Sequence, residues 1–383
     1  MTAKRSIFEE VSETSAATQP AQPKGGMIDA RPKGARRAIR IWLFVMFALV
    51  AAMVLVGGAT RLTDSGLSIT EWKPVTGAIP PMTEADWQKE FTLYQATPQY
   101  ALVNAQMTLS QFKGIYWWEW AHRQLGRTIG LIWALGFVFF WATGRIPRGW
   151  WGRLFLVGVL GGMQGLVGWW MVSSGLVGDM VRVASYRLAT HLGLAFLILM
   201  VIGWYAMLLG RSEADLLRAR REGDGRLAGL AGVVLTVGFV QVLLGALVAG
   251  IDAGRGFTDW PLMGGDWLPP DPFSIQPLWR NFFEDPGLVQ FDHRVGGYLL
   301  FIAAVTVALR GRRSPHASVR VAFAWMGAWV FVQAGLGIVT LMYGAPLSLG
   351  LVHQTGAIVA IALILRARFM ARYPVLGSVR DHG

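Results

Sequence analysis

Seven predominantly apolar stretches of this chain carry no charged residue: 41–60, 128–144, 154–178, 188–210, 227–251, 295–309 and 321–365. A helix needs roughly 20 apolar residues to cross about 30 Å of hydrocarbon. In lipid it must also satisfy every backbone polar group within itself. The stretch 321–365 is too long for one crossing, and Gly344-Ala345-Pro346 in its middle reads as a turn. Extending the shorter runs past polar residues near their ends gives eight expected spans: 38–59, 121–143, 153–174, 187–209, 227–250, 291–310, 319–342 and 348–368. The composition agrees, since 15% of residues are charged against about 25% in soluble domains. The fold class is an all-α integral membrane protein with eight transmembrane helices.

Charge assigns the sides. Segments 1–40, 145–153, 211–226, 310–320 and 366–383 hold 24 of the 35 Lys and Arg, and only 9 of the 23 acidic residues. Positively charged flanks stay cytoplasmic. Both termini are therefore expected inside, with the long loops 60–120 and 252–290 outside. The net charge of +12 follows from this sorting and from attraction to anionic membrane lipid. No basic-aromatic patch supports nucleic acid as a partner. Residues 1–37 are read as a disordered cytoplasmic tail and 371–383 as a second tail. The opening segment lacks the apolar core of a secretory signal, and Glu9, Glu10 and Glu13 argue against a mitochondrial transit peptide. A bacterial inner membrane is the expected location. Cysteine is absent, which excludes a disulfide scaffold, thiolate-bound zinc and a cysteine-ligated iron–sulfur cluster.

The chain repeats itself. Asp64-Ser65-Gly66 followed by Thr70-Glu71-Trp72 matches Asp252-Ala253-Gly254 followed by Thr258-Asp259-Trp260 at an offset of 188, and each is followed by a proline pair. His122-Arg123 with Gly126 matches His293-Arg294 with Gly297 at an offset of 171. Gln164 to Gly168 resembles Gln333 to Gly337, and His191 faces His353. Chance likeness between glycine-rich helices does not produce so many matches in one order. The expected architecture is two tandem four-helix bundles, 38–210 and 227–370, joined by a cytoplasmic linker, 211–226. Four helices per half preserve direction, so the halves should relate by a pseudo-two-fold axis along the membrane normal.

Of six histidines, His316 and His382 lie in cytoplasmic loops, where solvation explains them. His122, His191, His293 and His353 each fall near the outer start of an even-numbered span, two per half. Ionisable groups in lipid are costly and usually functional. Haem iron takes two axial imidazoles on opposite faces of a flat ring in an apolar slot. Zinc or copper would normally recruit a third ligand or a thiolate. Two bis-imidazole haem sites, one per half, are the reading. Arg123 and Arg294 are candidates for haem propionates, with snorkelling to headgroups as the competing reading.

The halves differ three residues before the first histidine of each pair, where Glu119 stands opposite Gln290. The i, i+3 spacing puts Glu119 on the ligand's face of the helix. A carboxylate there can accept a proton or stabilise positive charge on a reacting carbon. The asymmetry points to a reacting site in the first half and an electron-passing haem in the second. Tyr116, Trp117, Trp118 and Trp120 read as an interfacial aromatic belt.

Gly57-Gly-Ala-Thr-Arg-Leu-Thr-Asp-Ser-Gly66, Glu71-Trp-Lys-Pro74, Glu119-Trp-Ala-His-Arg123, Ala189-Thr-His191, Phe291-Asp-His-Arg294 and Leu351-Val-His-Gln354 together resemble the haem A synthase family, over about residues 38–370. The resemblance implies oxidation of a ring methyl of haem O to the formyl group of haem A, through a hydroxylated intermediate with water as oxygen source. It implies that His122 and His191 serve the substrate haem O, that Glu119 is the essential acid, and that His293 and His353 hold a permanent haem b. It further implies haem O synthase as substrate donor and cytochrome oxidase assembly factors as partners; the redox partner and homo-oligomerisation stay open. Many bacterial members carry a cysteine pair in the first outer loop. Its absence here removes thiol-linked control and points to the subgroup nearer the mitochondrial enzymes. Two other classes compete: a quinol-linked dihaem b-type electron carrier, which needs the four histidines but not Glu119, and a duplicated transporter, which needs neither.

Overall fold

Capping residues set where several of the long helices begin. The computed structural model describes residues 33–178 and 180–376. In chain order the helices are α1 (Lys33–Leu62), α2 (Glu84–Gln95), α3 (Pro98–Leu102), α4 (Leu109–Ala142), α5 (Trp151–Ser174), α6 (Ser185–Leu209), α7 (Glu213–Arg221), α8 (Gly225–Gly250), α9 (Asn281–Glu284), α10 (Pro286–Gly311), α11 (Ala317–Met342) and α12 (Leu347–Arg372). Asp224 accepts from the Leu227 N–H at 2.8 Å to start α8. Asp285 does the same for the Leu288 N–H at 2.7 Å, and Pro286 follows it, to start α10. A side-chain oxygen at this position satisfies one of the orphaned N–H groups of a helix's first turn.

Eight of these helices, α1, α4, α5, α6, α8, α10, α11 and α12, are long and apolar enough to cross a membrane, matching the expected count. The turn expected inside 321–365 lies between α11 and α12, with Gly344 and Ala345 both at positive φ. The Ala345 N–H donates to the Thr340 carbonyl at 2.8 Å and closes the end of α11. Of the expected first tail, residues 1–32 lie outside the described residues, whereas 33–37 already belong to α1. His382, with the rest of 377–383, also lies outside them.

One boundary is corrected strongly. The second span was expected to begin at 121, but α4 begins at Leu109, where Thr108 and Gln111 form a reciprocal cap. Its 34 residues measure about 51 Å, well beyond the thickness of the hydrocarbon. The N-terminal extension of α4 packs on α2: Trp87, Phe91, Tyr94, Phe112 and Tyr116 form a separate buried cluster. Tyr116 is therefore a core residue of this cluster, with its ring 5.0 Å from that of Trp87, and not a belt residue. Trp117 and Trp118, in contrast, are exposed.

Within the first half, α1 packs on α4 and α6, α4 on α5, and α5 on α6; within the second, α8 packs on α10 and α12, α10 on α11, and α11 on α12. Replacing each helix by its sequence-repeat counterpart turns one set of pairings into the other. The halves meet where α6 touches α8 and α1 touches α12. One continuous apolar core, including Leu43, Phe196, Ile202, Phe323 and Ile364, runs through both. Small residues within this core, Ala231 and Ala304 among them, are fully buried, as expected where close backbone approach drives helix association in lipid.

The repeat is also written in the backbone. Asp64 and Asp252 take φ of 51° and 53°, a left-handed conformation that Asp tolerates better than most residues. Arg61 bridges them: it pairs with Asp64 at 3.2 Å and Asp252 at 3.3 Å, and donates to the Gly250 carbonyl. Arg182 also pairs with Asp252, at 2.7 Å.

Candidate functional site

Each of the four span histidines lies against a glycine of a neighbouring helix. The Cε1 atom would stand 3.2 Å from a Cβ built on Gly57 for His122, 2.9 Å on Gly168 for His191, 3.0 Å on Gly245 for His293 and 3.0 Å on Gly337 for His353. Any side chain at these glycines would push the imidazole away. The helices are α1, α5, α8 and α11, so the cradle repeats four times. His122 lies deeper along its helix than expected, because α4 starts further out; the others lie in the second turn of α6, α10 and α12.

The second pair is directly measurable. The His293 and His353 rings stand edge-on to one another, with centroids 6.4 Å apart and planes at 86°. Two imidazole nitrogens at about 2 Å on either side of one iron, each about 1.1 Å from its ring centroid, place the centroids about 6 Å apart. The pair thus fits the axial ligand set of a haem. Among the described residues no three His, Cys, Asp or Glu converge to hold a metal ion, so a ligand whose own macrocycle supplies the equatorial donors suits this set best.

Sequence reasoning missed the groups behind the rings. The Gln241 Nε2 donates to the His293 carbonyl at 2.8 Å and lies 3.0 Å from its Nδ1. Gln333 does the same to His353 at 2.8 and 3.2 Å, and Gln164 to His191 at 3.0 and 3.2 Å. All three glutamine Oε1 atoms are buried without a partner, so each amide is held through its Nε2, on the histidine. Each glutamine stands four residues before the cradle glycine on the same helix. That Gln-x-x-x-Gly spacing was the available signal, visible in 164–168 and 333–337.

Glu119 is buried, 3% exposed, and fully engaged. Its Oε2 accepts from the Ser68 Oγ and the Ile69 N–H, both at 2.8 Å. Its Oε1 accepts from Arg123 Nε at 3.0 Å and Nη2 at 2.6 Å. Arg123 in turn donates to the carbonyls of Ile69 and Glu71. At the equivalent place Gln290 donates to the Phe257 carbonyl at 3.1 Å, while Arg294 donates to Phe257, Leu262 and the Gln290 Oε1. Ile69 and Phe257 are themselves counterparts in the repeat. Each arginine therefore ties a loop to a histidine-bearing helix, Arg123 to α4 and Arg294 to α10. A cavity of about 340 Å³ opens beside the first clamp, walled by Ile69, Lys73, Tyr116, Arg123 and Arg127.

A family model described as cytochrome oxidase assembly protein, COX15-CtaA, matches residues 40–365. The chain is 60% identical over 381 residues to a protein named Heme A synthase from Dinoroseobacter shibae, covering 99% of each. It is 61% identical over 379 residues to the Heme A synthase of Paracoccus denitrificans, again covering 99% of each. Over 386 residues it is 55% identical to that of Cereibacter sphaeroides strain ATCC 17029, covering 98% of each.

Proposed function

The chain belongs to the COX15-CtaA family of cytochrome oxidase assembly proteins, and we propose that it works as a haem A synthase, oxidising the ring methyl of haem O to a formyl group. The observation that carries this reading is the doubled imidazole pair on glycine cradles, with a buried carboxylate beside one pair only. Water supplies the oxygen: methyl plus water gives formyl with loss of four protons and four electrons, by way of the hydroxymethyl compound. The protein is a multi-pass membrane oxidoreductase serving cytochrome oxidase maturation. Both termini are cytoplasmic in this proposal, and the histidine pairs lie toward the extracytoplasmic side of a bacterial inner membrane.

His122 and His191 hold the substrate haem O between α4 and α6. His293 and His353 hold a resident haem b, which when bound supplies a one-electron relay from the first site to an external acceptor. Glu119 supplies a fixed negative charge next to the substrate slot, where a positioned charge acts strongly because water is excluded. Ser68 and the Ile69 N–H aim that carboxylate. Protons released at the methyl have Glu119 as the buried acceptor nearest the His122 turn and the polar cavity beyond Arg123 as a path outward. Propionates of the substrate would meet Arg123 and Arg127 at that cavity, and Arg294 would play this part in the second half. Haem O synthase is the proposed donor of substrate.

Expression beside a source of haem O, followed by chromatography of extracted haem, tests the proposal. Haem A in the extract is the expected result. Haem b alone would overturn it in favour of an electron carrier, and no haem at all would favour a transporter.

A further inference from the structure

Three of the four histidines have a glutamine behind them, and the fourth does not. Gln241 lies four residues before Gly245 on α8; four residues before Gly57 on α1 stands Met53. The two occupy equivalent places in the two halves. A Cβ built on Gly297 meets the Gln241 Nε2 at 3.4 Å, and a Cβ built on its counterpart Gly126 meets the Met53 methyl at 3.3 Å. A thioether has no hydrogen to donate, and its three rotatable bonds let it adapt to whatever it touches. No hydrogen bond reaches the His122 ring among the described residues, whereas the rings of His191, His293 and His353 each lie within 3.2 Å of a glutamine amide.

An amide that donates to the main-chain carbonyl of a histidine and packs against its ring hinders that side chain from turning. Toward an iron-bound imidazole, whose free ring nitrogen carries a hydrogen, the ring contact is packing and the carbonyl bond is the anchor. Groups behind a metal ligand hold it in its binding orientation, and their loss typically costs 10- to 100-fold in affinity. A permanent cofactor benefits from two such braces. A substrate that must leave as product does not. We infer that Met53 in place of the brace makes His122 the labile axial ligand, the one that swings away to admit haem O and release haem A, while Gln164 keeps His191 as the fixed ligand. This rests on the haem A synthase reading and adds to it which ligand exchanges.

The test uses full-length protein in detergent, loaded with haem O, and follows transfer of haem to excess apomyoglobin by absorbance; it needs no turnover. Met53→Gln restores the missing brace and should slow haem O transfer about 10-fold or more. Met53→Leu, of similar size and without a donor, should keep the wild-type rate. Gln241→Met removes a brace from the resident site and should speed loss of haem b by a similar factor. It should also shift the low-spin resonance signal of that haem. Should Gln241→Met not fold, Gln333→Leu behind His353 carries the same expectation. Unchanged transfer from Met53→Gln, or equal slowing by Met53→Leu, would overturn the inference while leaving the enzyme reading intact. A wild-type protein that takes up no exchangeable haem O would instead overturn the enzyme reading on which it rests.

Discussion

Glu119→Gln is the substitution whose outcome says most about the first site. The replacement preserves shape, but the four hydrogen bonds that reach Glu119 all come from donors: Ser68, the Ile69 N–H and two nitrogens of Arg123. An amide offers one accepting atom, so its NH₂ must face either the guanidinium or the Ser68–Ile69 pair. Facing the guanidinium, the NH₂ costs two hydrogen bonds. Facing the loop it costs one, that of the Ile69 N–H, because the Ser68 hydroxyl can accept in place of donating, at about 1–3 kcal/mol for each group left unsatisfied in a buried place. The variant therefore loosens the clamp on the loop by at least about 1–3 kcal/mol and removes the charge as well. Formyl product should fall at least about 100-fold, the scale for a positioned acid–base or electrostatic group. Haem should still bind at both pairs, because no iron ligand has changed. Ser68→Ala separates the two effects. It deletes one of the four donors, costs about 1 kcal/mol, and keeps the charge, so product should fall less than about 10-fold. The assay is chromatography of extracted haem, with haem O or its hydroxylated form expected to accumulate in Glu119→Gln. Near-normal haem A from Glu119→Gln would refute the catalytic assignment. Equal damage from Ser68→Ala would reduce Glu119 to a clamp.

His293→Ala or His353→Ala should abolish stably bound haem b, read as loss of the low-spin spectrum; either variant retaining it would move the resident site elsewhere. Gly337→Ala should weaken haem b retention, because the new methyl would meet the His353 ring at 3.0 Å, whereas Gly335→Ala on the same helix meets nothing within 4 Å and should be silent; equal retention in both would remove the cradle argument. Asp252→Asn weakens one ion pair of Arg61 and one of Arg182, which both keep Asp64, and should lower unfolding stability by about 1–3 kcal/mol, measured thermally in detergent, while an unchanged midpoint would show that the seam is held without the Asp252 charge. Reporter fusions after Arg313 should read cytoplasmic and those after Pro270 extracytoplasmic, and the reverse would place the histidine pairs toward the inner face.

The spans were legible because lipid permits so few alternatives: an uncharged run of about 20 residues has only one way to satisfy its backbone there. The turn at 344–346 was legible for a related reason, since Pro346 cannot continue α11. The four histidines could be found because intramembrane imidazoles stand out against Leu, Val and Gly. Hydropathy failed at the start of α4. Residues 109–120 mix Lys113, Glu119 and aromatics, and this segment is stabilised by packing on α2, not by lipid. The partner of Gln241 was hidden for another reason: the glutamine is 52 residues from His293, and the Gln-x-x-x-Gly spacing marks it without saying what it touches. The Ser68–Glu119 bond spans 51 residues, from a loop that nothing in the local sequence pins to α4.

The difference between Glu119 and Gln290 is inseparable from the loops they hold. In the second half the partner is the Phe257 carbonyl, an acceptor, and only a residue with a donor can meet it. In the first half the Ile69 N–H and the Ser68 hydroxyl turn toward α4, and only an acceptor can take both. A carboxylate at position 290 would confront a carbonyl oxygen, just as an amide at 119 confronts donors. Each side chain and its loop peptide are thus matched in hydrogen-bond polarity, and neither can be exchanged alone without leaving a buried group unsatisfied. A charge at 119 is consequently fixed in direction by the loop that receives it. That separates it from an ordinary interfacial acid, which water would solvate in any orientation.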